Sequence, residues 1–250
     1  MRYTGAPERR AELLRMLAAE GYLASADAAE RMGVSEMTVR RDLQRLSDAG
    51  RVRRVAGGAT LAGAALPFER RTAVDASFKR LVVEAAAAEL EGADVVALDA
   101  GTTVAAMTAL VRARTVVTHS LPVVTALAGR RPDALICAGG EYQSDTRAFA
   151  GPIAEAALRS VRTQVAVLSA TAITADGLWG TSTLDAAIKR VLAEQADRVV
   201  VVADGAKIGG SAPVRIMDVE RADVLVTDSR ADTAVLDGIR ARGVAVRIAG

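Results

Sequence analysis

The sequence predicts an α/β chain in two parts: three short helices closed by a β-hairpin, then a larger unit built on a mainly parallel sheet with helices on both faces. Three observations predict it. The first sixty residues show helical apolar spacing punctuated by Gly21, Gly33 and Gly50. A Gly57-Gly58 pair then sits between two β-capable runs. From Lys79 onward, continuous Val/Leu/Ile runs alternate with amphipathic stretches, the pattern of strands buried on both faces.

The chain has 250 residues, 51% hydrophobic and 25% charged, a composition suited to a globular protein of one large or two unequal domains. One cysteine excludes an internal disulfide framework; Cys137, in the apolar run "DALICAGG", is expected to be a buried, inert thiol. With only one histidine beside it, a zinc site of soft ligands is not expected, and no cofactor is implied. The start, "MRYTGAPERRAELL", lacks the apolar core of a signal peptide, and no apolar run approaches transmembrane length, so a cytoplasmic protein away from membranes is expected. The net charge of +2 is unevenly spread: within 40–54, "RRDLQRLSDAGRVRR", six arginines face two aspartates. A basic patch on a nearly neutral body points to a polyanion-binding module.

In "ERRAELLRMLAAEGYL", Leu13, Leu14, Met16 and Leu17 fall at helical spacing and Gly21 ends the run. Ser25 is expected to cap a second helix, closed by Gly33. "GVSEMTVRRDLQRLSDAG" starts a third with Ser35 as cap and stops at Gly50. Val39, Leu43 and Leu46 should face the core, which turns Met37, Arg41 and Gln44 outward, flanked by Thr38, Arg45 and Arg40. Two helices joined by a short Gly-containing turn are a helix-turn-helix, and arginines with small polar groups on the second can enter a major groove. "RVRRVAGGATLAG" then reads as a wing, with Arg51, Arg53 and Arg54 along the DNA backbone and Gly57-Gly58 at the turn.

Residues 63–78 read as a linker between a domain at 1–62 and another at 79–250. The expected strands are "DVVALDA", "TVVTHS", "DALICAGG", "QVAVLSA", "RVVVVAD", "DVLVTD" and "VAVRIA". In such a Rossmann-like sheet, ligands collect at the carboxyl ends of strands. Those ends carry Asp99, Gly101, Thr102 and Thr103; Thr118, His119 and Ser120; Gly139 and Gly140; and Asp204 and Lys207. Gly101 allows close backbone approach, the threonines start a helix whose amides favour an anion, and Lys207 offers a countercharge.

"GVSEMTVRRDLQRLSDAGRVRRVAGGA" resembles the N-terminal domain of the DeoR/GlpR-type bacterial transcriptional regulators. "FERR…D…K", "LDAGTT", "VVTHS", "CAGG", "AGPIAE" and "VVADGAKIG" extend the resemblance to their effector-binding domain, which is similar in fold to ribose-phosphate isomerases, glucosamine-phosphate deaminases and CoA transferases. The resemblance implies a repressor that binds a double-stranded operator as a dimer or higher oligomer and senses a phosphorylated sugar or related intermediate. It also implies that Asp99, Gly101, Thr102, Thr103, Ser120, Gly139, Gly140 and Lys207 face the ligand. The sequence departs from the family pattern at Ala56, before the wing glycines; at His119, where asparagine is usual; at Asp185 in "TLDAAIKR", where glutamate is usual; and in "LSATAITADG", which lacks glycines often found there. An alternative is a sugar-phosphate isomerase or deaminase with an accessory helix-turn-helix, for which Asp99, Asp185, His119 and Lys207 are the acid/base candidates. A further alternative is a regulator with a vestigial pocket that answers to a partner protein.

Overall fold

Glycines with positive φ terminate each of the first three helices in the computed structural model, at Gly21 (71°), Gly33 (65°) and Gly50 (67°). The structure describes residues 5–55, 57–61, 68–73, 75–130 and 133–250, so Ala56 and linker positions 62–67 lie outside the described residues. Two units are present, Met1–Val74 and Asp75–Gly250.

The first unit contains α1 (Ala6–Glu20), β1 (Tyr22–Ala24), α2 (Ser25–Met32), α3 (Glu36–Asp48), β2 (Val52–Val55), β3 (Gly58–Leu61) and α4 (Phe68–Ala73). Its core gathers Leu13, Leu17, Leu23, Val39, Leu43 and Val52. Asp42, on the inner side of α3, is buried and ion-paired with Arg9 of α1. The short strand β1 was not expected, and it displaces the predicted cap of α2. Because Ala24 pairs with Gly58 and the Ser25 amide donates to the Gly57 carbonyl, the helix starts at Ser25 itself. The Ser25 hydroxyl is then buried with no hydrogen-bond partner.

The second unit runs through α5 (Ala76–Ala88), β4 (Val95–Leu98), α6 (Thr102–Met107), β5 (Thr115–Thr118), α7 (Leu121–Ala128), β6 (Ala134–Cys137), β7 (Glu141–Gln143), β8 (Ala148–Ala150), α8 (Pro152–Arg159) and β9 (Thr163–Ser169). It continues through β10 (Ala172–Thr174), β11 (Gly177–Gly180), α9 (Thr183–Glu194), β12 (Ala196–Val202), β13 (Val214–Asp218), β14 (Val224–Asp228), α10 (Thr233–Ala241) and β15 (Ala245–Ala249). Among the described residues, all pairings of the seven-stranded sheet β15-β14-β12-β9-β4-β5-β6 are parallel. Its strands are the seven apolar runs read from the sequence. Val96 and Leu98 pack with Val82, Val104 and Val123 on one face, while Ala97, Ala166 and Leu168 pack with Leu158, Ile188 and Val191 on the other. Serving two apolar layers is why these strands read as continuous hydrophobic runs rather than alternating ones.

The chain lays down β4, β5 and β6 in one direction, then returns to place β9 on the other side of β4. The strand order therefore reverses between β4 and β9, and in sheets of this kind ligands collect outside the carboxyl ends at such a reversal. Leu98 pairs with both Thr118 and Val167, so the ends of β4, β5 and β9 lie level. Cys137 corrects an expectation: it is exposed on the edge strand β6, although partial desolvation still pushes its thiol up.

Candidate functional site

Helix α3 presents one polar face. Ser35 caps it, accepting from the Thr38 amide at 3.2 Å and sharing a 2.8 Å hydrogen bond with the Thr38 hydroxyl. The apolar side is consumed by the core, so Met37, Arg40, Arg41, Gln44 and Arg45 are exposed, Met37 by 63%. These residues are not equivalent. Arg40 is paired with Glu36 at 2.7 Å, and Gln44 donates to Asp48 at 2.8 Å. Among the described residues, Arg41, Arg45 and Arg51 hold exposed guanidiniums with no ion pair. Arg41 lies nearest the centre of the face and is the one best placed to address a base edge.

The wing residues divide. Arg53 points outward, whereas Arg54 turns onto α3 and donates to the Arg40 carbonyl at 3.2 Å and to Gln44 Oε1 at 3.3 Å. Alternation along β2 puts Arg54 on the same face as Val52, so this exposed guanidinium lies against α3 and not beside Arg53. Gly57, with φ of 76°, supplies the turn. Gly58 has a different reason to be glycine: a Cβ there would stand 2.1 Å from the Leu23 carbonyl oxygen, so it permits β1 and β3 to pair and does not face outward.

In the second unit the strand ends meet at the point of reversal, but most of the expected ligand-facing groups are turned inward. Asp99 is fully buried. Its Oδ2 accepts from the Ser169 amide and hydroxyl, each at 2.9 Å, and from Lys189. Thr118 donates to the Leu98 carbonyl at 2.6 Å and accepts from the Ser120 amide at 3.1 Å. Ser120 is the buried cap of α7. Gly101 (φ 146°) is held against Ser169, whose Oγ would lie 2.6 Å from a Cβ, and Gly140 against the Ala150 carbonyl and the start of α8. Gly139 is exposed, with open space where a side chain would project. Thr102 and Thr103 begin α6 and are largely buried; the Thr103 hydroxyl has no hydrogen-bond partner. At the end of β12, Lys207 pairs with Asp204 at 3.5 Å.

His119 does not reach outward as a phosphate ligand would. Its Nδ1 is 2.8 Å from the Phe149 carbonyl and must donate there, while Nε2 accepts from the Ala100 amide at 3.2 Å. Nε2 also lies 3.3 Å from Asp99 Oδ1, so the ring is held between β4, β5 and β8.

Lys189 is the residue the sequence reading missed. It projects from α9 into the sheet end, buried, bonded to Asp99 and 3.4 Å from Asp185 Oδ1. The signal was an Asp185–Lys189 pair at i,i+4 spacing on the side of α9 that also carries Ala186 and Ile188. Burial alone would raise the Asp99 carboxyl, but the Lys189 ammonium overrides it and holds Asp99 well below the usual carboxylate range. Burial likewise opposes the Lys189 charge, yet Asp185 and Asp99 together lift it above an ordinary lysine. Asp185, desolvated and close to Asp99, is pushed up despite its lysine partner. The group thus offers no free amine; it is arranged to hold something still.

Residues 9–64 match the DeoR-like helix-turn-helix domain, and residues 75–229 match the DeoR C terminal sensor domain. The chain belongs to the DeoR family of transcriptional regulators. The putative aga operon transcriptional repressor of Escherichia coli O157:H7 is 31% identical over 258 residues, covering 100% of this chain and 96% of the relative. The transcriptional repressor AccR of Agrobacterium fabrum is 33% identical, covering 94% of each. Ribose 5-phosphate isomerase A from Neisseria gonorrhoeae aligns over 52% of each chain with a TM-score of 0.38 and 16% identity, a likeness too slight to bear on activity. In this DeoR-family chain, then, α3 lies within the helix-turn-helix match, and the Asp99–Lys189–Asp185 group lies within the sensor match. Among the described residues, no helix is long and apolar enough to cross a membrane.

Proposed function

We propose that this DeoR-family chain is a cytoplasmic repressor of a carbohydrate-catabolism operon, released from its operator by a phosphorylated sugar or related intermediate. The observation that carries this reading is the pairing of two separate surfaces in one chain. One is an exposed arginine face on α3; the other is a buried polar group at the strand-order reversal of a parallel sheet, where ligands of such sheets bind. Arg41, Arg45, Arg51 and Arg53, with Thr38, Arg40 and Gln44, form the operator surface. The effector meets Asp185 and the rim at Thr102, Gly139 and Gly140, with Lys207, one strand beyond β9, as the countercharge for its phosphate. The chain acts as a homodimer or higher oligomer, since one recognition helix reads one half-site. Effector binding releases DNA through its differential affinity for two arrangements of the assembly.

We propose further that it catalyses no reaction on the sugar. Lys189 keeps its proton, Asp99 Oδ2 already accepts from Ser169 and Lys189, and both nitrogens of His119 have partners, which leaves Asp185 and Lys207 as the acid or base candidates. The test is selection of operator DNA with the full chain, followed by gel shift with ribose 5-phosphate, glucosamine 6-phosphate and glycerol 3-phosphate. The same mixtures are assayed for product. Specific DNA binding relieved by one of these compounds without turnover is expected. No selectable DNA, or steady conversion abolished by Asp185→Asn, would place the enzyme reading first.

A further inference from the structure

Asp99 and Asp185 bring two carboxylates to the end of the sheet and Lys189 one ammonium. The group is net negative with Asp185 ionised and uncharged with it protonated; in neither state is it positive. Its one cation is already occupied, buried between the two carboxylates. Of the set, Asp185 alone reaches outward, with its side chain 18% exposed. Only its Oδ1 is engaged; among the described residues Oδ2 meets no donor. Gly180 lies beside that oxygen: a Cβ there would stand 4.0 Å from it and 3.3 Å from Ile216, so any side chain would crowd this edge. At the same end of β4, the Thr103 hydroxyl is buried and unpartnered. A fixed acceptor oxygen at the end of the sheet is made for an O–H donor. It is a poor place for a phosphate dianion, which needs donors and positive potential.

We infer that Asp185, held by Lys189 and through it by Asp99, reads a hydroxyl of the effector, and that the effector's phosphate is excluded from this subsite. The inference rests on the sensor reading given above and deepens it: the ligand is a polyhydroxylated chain or ring whose phosphate end lies away from α9. Lys189 and Asp99 act here as positioning residues. Lys189 fixes one oxygen of Asp185 so that the other keeps its direction, and Asp99 keeps Lys189 charged and in place.

The experiment uses the full chain, with binding followed by thermal shift and by titration calorimetry. The probes are inorganic phosphate, the sugar phosphates named above together with glucose 6-phosphate, and the neutral compounds ribose, arabinitol and galactitol. Asp185→Asn, an isosteric change, is expected to weaken the tightest-binding sugar phosphate at least tenfold while leaving inorganic phosphate within twofold of wild type. Asp185→Glu, which keeps the carboxylate, should retain part of the affinity and guards against a folding defect in the first variant. The inference is overturned if Asp185→Asn leaves sugar-phosphate binding unchanged, or if it tightens inorganic phosphate tenfold, which would put the phosphate at this group. A strict requirement for glucosamine 6-phosphate over glucose 6-phosphate would also overturn it, by showing that the subsite takes an ammonium. If no sugar phosphate binds but a neutral polyol does, in a manner sensitive to Asp185→Asn, the hydroxyl subsite stands and the phosphorylated effector falls. If neither class binds, both readings fail.

Discussion

Replacing Lys189 by methionine tests whether the buried polar group is a balanced unit. The change keeps most of the side-chain volume and removes the ammonium, leaving the fully buried Asp99 and the mostly buried Asp185 facing each other without a cation. Removing one partner of a buried pair typically costs about 3–5 kcal/mol, because the remaining charge must stay dry and unpaired or take up a proton. Against a typical total stability of roughly 5–15 kcal/mol, this is a large share, equivalent to a fall in Tm of about 6–20 °C for a unit of this size. Trp179, the one tryptophan of the chain, lies on β11 in the second unit, so its fluorescence follows unfolding of the sensor unit apart from the winged helix. The pH dependence supplies a sign. In the wild type Asp99 has a lowered pKa, so its contribution is present above the unfolded carboxylate pKa and is lost as pH falls through the folded one. Lys189, with a raised pKa, contributes below the unfolded lysine pKa and loses that contribution as pH rises through the folded one. In Lys189→Met the carboxyls have raised pKa values, so the variant should gain stability relative to wild type on acidification. Asp99→Asn added to Lys189→Met should recover much of the loss. A single variant within about 1 kcal/mol of wild type, with an unchanged pH profile, would refute the reasoning, because typical exposed pairs are worth only that much.

Arg41→Ala should reduce specific operator affinity by about 1–3 kcal/mol without altering thermal stability, since among the described residues this guanidinium has no ion pair to lose; the check is gel shift beside a melting curve. Arg53→Ala should instead weaken binding to all sequences alike and lower the salt slope by about 1, measured by titrations at several salt concentrations. Gly58→Ala drives a Cβ into the Leu23 carbonyl and should destabilise the winged helix by roughly 1–3 kcal/mol. Wild-type melting of that variant, with lost DNA binding, would show that Gly58 faces DNA after all. Asp42→Ala leaves Arg9 without its buried carboxylate and should lower the melting temperature of the first unit, with the sensor unit's Trp179 transition unchanged.

Much of the sheet was legible because each strand must satisfy two apolar layers, and "VVALD", "VAVLS" and "VVVVA" cannot do so in any other secondary structure at that length. The antiparallel pieces of the second unit were not. β7 and β8 are three residues each, and β10 and β11 join across Ala175-Asp176, with Gly177 opposite Thr174. The Asp-Gly signal was present in "TADG", but runs of three or four residues with small side chains give too little periodicity to read. On α3 the outward face followed from Val39, Leu43 and Leu46 alone. The direction of Arg54 did not, because in a strand it depends on register and not on chemistry.

The sensor site shows why residue type at a strand end identifies a region better than it identifies a ligand contact. A carboxylate, a histidine, a threonine and a serine at the ends of β4 and β5 read as a polar pocket lining, and they do gather in one place. Gathering is what spends them: each buried polar group needs partners, and the nearest partners are one another. What faces outward is then set by the leftover valences, here one oxygen of Asp185. A hydrogen bond to such a charged group contributes about 1.5–3 kcal/mol, whereas turning a two-state population from 1:99 to 99:1 takes about 5.5 kcal/mol of differential affinity. Asp185 cannot by itself carry the switch that the proposed repressor requires. The remainder has to come from a second contact made in one arrangement and not the other, and the phosphate end of the effector, on the side away from α9, is where that difference must be sought.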